Sequence, residues 1–163
     1  MRNNSSLTEF ALPNLLSIRG ELFIANPAEN NITSIKCPQL TTILKQCYIQ
    51  APNLKSLNLN SLESIPGKGD NSDGDGTFSL YGSQLVSLDL PVLKQVGKKF
   101  TLSLGTKHPE LTQINLPELI SCKEVSIGYA DKLETISLPK LSTLSSFSIT
   151  SCCLLYTSPS PRD

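Results

Sequence analysis

The sequence predicts an all-β protein wound as a right-handed parallel β-solenoid of about six repeats rich in leucine. Three observations carry that prediction. An apolar phrase returns six times along the chain, a proline recurs at one fixed place inside it, and apolar side chains alternate with polar ones to either side. A unit this short cannot bury its own apolar face, so successive units must stack and share one interior.

The phrase has the form L-x-x-[LI]-x-L-P-x-L-x-x-[LI]. Its first copy uses Leu7, Phe10, Leu12, Pro13, Leu15 and Ile18, and its second Ile32, Ile35, Cys37, Pro38, Leu40 and Ile43. The third runs through Leu54, Leu57, Leu59, Asn60, Leu62 and Ile65, the fourth through Leu85, Leu88, Leu90, Pro91, Leu93 and Val96. Leu111, Ile114, Leu116, Pro117, Leu119 and Cys122 form the fifth, and Leu133, Ile136, Leu138, Pro139, Leu141 and Leu144 the sixth.

Each copy opens as a strand. Ile114 and Leu116 alternate with Gln113 and Asn115, the period-2 mark of a half-buried strand. Proline then closes it, because a residue without an N–H belongs at a corner outside the hydrogen-bonded rungs. Five copies place Pro there and the third places Asn60, which also tolerates turns. A short bend follows, anchored by residues such as Leu119 and Cys122.

A second alternating run comes next: Leu22 and Ile24; Cys47 and Ile49; Phe78 and Leu80; Phe100, Leu102 and Leu104; Val125 and Ile127; Phe147 and Ile149. Two strands and one corner per copy suffice for one turn of a coil. Recurrent proline and the shortage of helix-forming runs argue against helices. The phrase starts at Leu7, Ile32, Leu54, Leu85, Leu111 and Leu133 are unevenly spaced, and the step from Leu54 to Leu85 is the longest. That step holds a loop-like insertion from Gly67 to Gly76. Insertions in repeat proteins tend to project from one side, often near the binding face.

Taken together, residues 7 to 150 resemble the extracellular leucine-rich solenoids of the receptor L-domain type. They are similar in particular to fungal cell-wall GPI-anchored proteins of that type, and more loosely to BspA-type leucine-rich repeats of surface proteins. The chain lacks the Asn ladder of the ordinary leucine-rich horseshoe, which favours the L-domain or BspA pattern. The resemblance implies an extracellular or surface-attached binding or structural module with no catalysis, its anchor lying in sequence outside this chain.

Composition narrows the partners. Lys plus Arg and Asp plus Glu stand at 14 each in 163 residues, so no basic footprint for nucleic acid or an anionic membrane exists. No apolar run approaches the roughly 18 residues of a membrane span, and Met1 to Ser6 shows no signal-peptide h-region. The repeat is already running at Leu7, so the expectation is an internal piece of a longer solenoid, with residues 1–152 as the domain. The period predicts a seventh phrase near Leu155, yet Cys153 to Asp163 ends in LLYTSPSPRD, with Ser158 in an apolar slot. That string resembles translated sequencing-adapter read-through, so residues 153–163 are expected to be a non-native tail, the alternative being a genuine Ser/Pro-rich linker.

Chemistry-bearing residues are few. Cys37, Cys47 and Cys122 occupy apolar slots and read as small core hydrophobes, while Cys152 and Cys153 lie at the tail. An odd count without a C-x-x-C pair points away from zinc and from paired disulfides. Asp70, Asp73 and Asp75, interspersed with glycine, are the metal candidate, with oxygen ligands suited to Ca²⁺. Their spacing fits neither an EF-hand nor the glycine-rich nonapeptide, and a solvated insertion is the plainer reading. His108, the one histidine, sits beside Pro109 in a turn, and no nucleophile marks a triad. No catalytic residue and no cofactor are expected.

The outward positions of the first strands offer the binding face. Ser34, Ser56, Ser87, Gln113 and Thr135 form one row, and Lys36, Asn58, Asp89, Asn115 and Ser137 its neighbour. Such rows suit an extended protein or glycan partner, though soluble strand exteriors have the same composition. Thr77, Ser79, Thr101, Ser103, Ser126, Ser148 and Thr150 suggest an ice-binding hydroxyl array, which Gln50 and Gly128 interrupt. Asn3, Asn4 and Asn31 open N-x-[ST] sequons, which permit secretion. The functional expectation is a non-catalytic recognition or structural module at the cell surface. The alternatives are an intracellular scaffold on the same repeat and a polysaccharide-active β-helix enzyme, which would gather carboxylates on one stacked face.

Overall fold

A computed structural model describes residues 6–25, 31–69, 75–105 and 110–151. The sequence features at Asn3, Asn4, Asp70, Asp73, His108, Cys152, Cys153 and the 153–163 tail lie outside the described residues.

The first strand set is β1 (Glu9–Ala11), β2 (Ser17–Ile18) and β3 (Leu22–Ala25), and the second β4 (Ser34–Lys36), β5 (Thr42–Ile43) and β6 (Gln46–Gln50). The third holds β7 (Ser56–Asn58), β8 (Ser64–Ile65) and, past the insertion, β9 (Thr77–Tyr81). Then come β10 (Ser87–Asp89), β11 (Gln95–Val96) and β12 (Lys99–Ser103), followed by β13 (Gln113–Asn115), β14 (Glu124–Gly128), β15 (Thr135–Ser137) and β16 (Ser146–Thr150). Every pairing is parallel, no helix occurs among the described residues, and the sets stack as a β-solenoid of about five turns.

The cross-section has three sides where the sequence suggested two strands and a bend. A front face carries β1-β4-β7 and, separately, β10-β13-β15. A narrow flank carries β2-β5-β8-β11, continued by single bridges through Ser121 and Thr143. A back face carries all six longer strands in the order β3-β6-β9-β12-β14-β16. The flank is the predicted bend: its strands are two residues long, too short for any alternation to register in sequence.

Proline works as the corner piece. Six times, the N–H of the leucine three places on donates to the carbonyl of the residue before the corner: Leu15 to Leu12, Leu40 to Cys37, Leu62 to Leu59, Leu93 to Leu90, Leu119 to Leu116 and Leu141 to Leu138. Pro13, Pro38, Asn60, Pro91, Pro117 and Pro139 thus occupy the second position of a β-turn, where the φ that a pyrrolidine ring imposes is already correct. Ala51 and Ala130 close matching turns on to Leu54 and Leu133 before the next front strand.

Between corners the apolar phase points inward. Leu59, Leu62, Leu90, Leu93, Leu116 and Leu119 are fully buried, and Phe78 stacks on Phe100 inside the coil at 4.9 Å. Burial fades in the first and last sets, which have a described neighbour on one side only. Leu12 is 39% exposed, Leu144 38% and Phe147 46%.

Outside, acid–base pairs join consecutive turns: Glu9 to Lys36 at 2.6 Å, Glu63 to Lys94 at 2.9 Å, Glu110 to Lys132 at 2.8 Å and Glu118 to Lys140 at 2.7 Å. All are half exposed, so each contributes under about 1 kcal/mol. One close backbone approach breaks the repetition. Gly97, between β11 and β12, lies so near the preceding turn that a Cβ there would collide with the Pro66 carbonyl group.

Candidate functional site

The front face sets the two polar rows in register. Glu9, Ser34 and Ser56 are direct neighbours, as are Ser87, Gln113 and Thr135; beside them run Ala11, Lys36 and Asn58, then Asp89, Asn115 and Ser137. Ser56, Ser87, Gln113, Thr135, Lys36 and Asp89 are exposed, whereas Asn58, Asn115 and Ser137 are half-buried. Ser34 behaves differently. Its Oγ is covered and has no hydrogen-bond partner, so it presents little to a ligand.

The rows do not form one continuous ladder. β7 and β10 are sheet edges facing each other without pairing, at the long step from Leu54 to Leu85. The last backbone link there is the Gln84 N–H donating to the Leu54 carbonyl at 2.8 Å. Beyond it a cleft of about 350 Å³ opens, lined by Lys55, Ser56, Leu57, Asn60, Leu85, Val86, Ser87 and Asp89. The β10 side brings both an apolar patch, with Val86 61% exposed, and the Asp89 carboxylate, which accepts the Ser87 hydroxyl at 2.8 Å. The split is confined to the front face: the insertion lies between β8 and β9, yet β8 stays paired with β5 and β11 on the flank and β9 with β6 and β12 on the back face. Sequence spacing placed these residues in rows but gave no sign of the gap between them.

The insertion has its own anchor. Asp75 is buried, and its two carboxylate oxygens accept the Lys68 and Gly69 N–H groups, each at 2.7 Å. Of the three carboxylates suited to Ca²⁺, this one therefore ties off the base of the loop, while Asp70 and Asp73 lie outside the described residues. Among the described residues no three His, Cys, Asp or Glu side chains gather as a metal site.

Cys37, Cys47 and Cys122 are free and buried. Burial pushes all three thiols up, Cys47 most, where the neighbouring Cys37 adds to the effect. The Cys122 thiol also donates to the Glu124 carbonyl at 3.0 Å. Protonated thiols in an apolar interior are poor nucleophiles and poor metal ligands.

The back face carries a feature not anticipated from the sequence. Phe23, Tyr48 and Tyr81 stand at the outward phase of their strands, each next to an inward leucine, isoleucine or cysteine. Phe23 stacks on Tyr48 with centroids 4.8 Å apart and planes 14° from parallel, and Tyr81 lies 5.2 Å from Tyr48 at a 35° tilt. A groove of about 380 Å³ runs beside them. The signal was available: an aromatic in the polar phase of an alternating run is out of place on a solvated sheet. No family model, curated protein or solved structure matches this chain. No helix among the described residues is long and apolar enough to cross a membrane.

Proposed function

We propose that this chain is a non-catalytic recognition or structural module, a leucine-rich solenoid of receptor L-domain or BspA type, that works at the cell surface. The partner, a protein or a glycan, lies along the front face. The observation that carries this reading is the cleft between β7 and β10, where Ser56, Ser87 and Asp89 lie beside the exposed Val86 within two nearly neutral polar rows. A mixed apolar and hydrogen-bonding concavity in a flat polar field is what a surface offers an extended partner. The leucine-rich character of the phrase and its proline corners support the family reading, and the balance of 14 basic against 14 acidic residues supports a partner not chosen by bulk charge.

The test is capture on arrays of extracellular proteins and glycans by the full chain, repeated with two variants. Ser87→Arg fills the cleft mouth and is expected to abolish capture, while Gln95→Arg on the flank leaves it unchanged. Capture that survives Ser87→Arg, or that Gln95→Arg removes, overturns the front-face assignment.

A further inference from the structure

We propose that the back face holds a second site, for a neutral linear oligosaccharide whose sugar rings pack against Tyr48. This site is independent of whatever the front face takes. The starting point is a row of aromatic rings on the outside of a sheet, where hydration favours small polar groups. Phe23 covers one face of the Tyr48 ring. On the other side Tyr81 leans in from β9, its centroid 5.2 Å away and its plane tilted by 35°, while Ser79 and then Thr101 follow in the column of Tyr48 itself. These two are too short to cover the part of the ring that Tyr81 leaves open, so Tyr48 and Tyr81 together form one wall of the groove.

Three properties of that groove select a sugar. The ring face supplies a flat, electron-rich surface, on which the axial C–H groups of a pyranose settle as partially positive hydrogens. The Thr101 hydroxyl, with the largely buried Ser79 hydroxyl beside it and the Gln46 side chain at the edge, adds a smaller polar part to a mainly apolar lining, the mixture that a sugar ring presents in return. The cation at the margin is already paired, Lys99 with Glu124 at 3.5 Å, and the Gln46 amide donates at 3.1 Å to the Glu21 carboxylate, which keeps its negative charge. An anionic polymer therefore finds no unneutralised cation there. Extension follows from the stack itself, because the column continues as Ser79, Thr101, Ser126 and Ser148, one hydroxyl per strand at about 4.8 Å spacing. A linear chain running along the axis would meet the same group at each step.

The experiment titrates the full chain with linear hexasaccharides of β-1,3-glucose, β-1,4-glucose and β-1,4-N-acetylglucosamine, read by tyrosine fluorescence and by calorimetry. At least one is expected to saturate. Tyr48→Ala should then weaken it by about tenfold or more, Tyr48→Phe should restore affinity to within about threefold, and Gln95→Ala should not change it. Far-UV circular dichroism confirms that each variant keeps its sheet. Three results overturn the assignment: no hexasaccharide binds at about millimolar concentration, binding persists in Tyr48→Ala, or an extended peptide saturates the groove in place of sugar. None bears on the front-face reading, whose capture assay depends on Ser87.

Discussion

Adding one methyl group at Gly97 should cost this protein more than removing most surface side chains. The Cβ of Gly97→Ala would lie 2.7 Å from the Pro66 carbonyl carbon and closer still to its oxygen, both backbone atoms of the preceding turn. Carbon and oxygen rarely approach within about 3 Å, so the two turns must part by about 1 Å. That shift also strains the Gly97 N–H bond to the Ile65 carbonyl at 2.9 Å and the Lys98 N–H bond to Gly76 at 2.8 Å. Overpacking typically costs about 1–3 kcal/mol, and each weakened hydrogen bond adds roughly 1 kcal/mol, giving about 3–5 kcal/mol in all. Two other glycines serve as controls. Gly105 has φ +78 and open space around it, so Gly105→Ala carries only the left-handed penalty of about 1–2 kcal/mol. Gly20 has neither a close neighbour nor a positive φ, so Gly20→Ala should be neutral or stabilising by up to about 1 kcal/mol. Urea unfolding followed by circular dichroism gives the ranking. If Gly97→Ala unfolds at the same urea concentration as Gly20→Ala, the turn-to-turn contact does not exist.

Two further outcomes test the interior. Leu116→Ala removes a fully buried side chain and should cost about 2–5 kcal/mol through the cavity left behind, while Ser87→Ala on the exposed front face should be nearly neutral; the reverse order in urea titration would mean the strand phase is inverted. In a Cys152→Ser, Cys153→Ser background, Cys37, Cys47 and Cys122 should resist a thiol reagent until the chain is unfolded, since burial keeps them protonated. Their folded-state values lie above the ordinary 9.0, so the stability they confer is complete below that pH and declines as pH rises through the folded values. A urea midpoint that stays flat from about pH 8 to about pH 10.5 would contradict this.

How much of this was legible in the chain depended on how locally each feature is encoded. The inward column and the corners were readable because alternation and proline act over a short span: Leu90, Pro91 and Leu93 alone specify a strand end, a turn and a return to the interior. The flank was not, since Thr42–Ile43 or Ser64–Ile65 is one rung wide. The front-face rows could be drawn from spacing, yet the cleft through them arises from a failure of pairing between β7 and β10 that no single segment encodes. The aromatic shelf needed register. Phe23 and Tyr48 belong to different repeats, and only the β3–β6 alignment makes them neighbours, while Tyr81 joins from the adjacent column of β9. The Gly97 approach to Pro66 is likewise a property of two turns meeting, with no motif at either residue.

The uneven steps between turns acquire a mechanical meaning. Each back-face strand bonds only to strands one turn away, and those bonds lie along the stacking axis. Tension applied between the two ends would load them in series, and the coil would yield by shedding one turn after another. A released turn such as that from Ile32 to Leu54 lengthens the chain by roughly 75 Å, whereas the long turn from Leu54 to Leu85 lengthens it by roughly 105 Å. The insertion tied off by Asp75 would thus announce its own rupture in a force–extension trace, as the one event longer than all the rest.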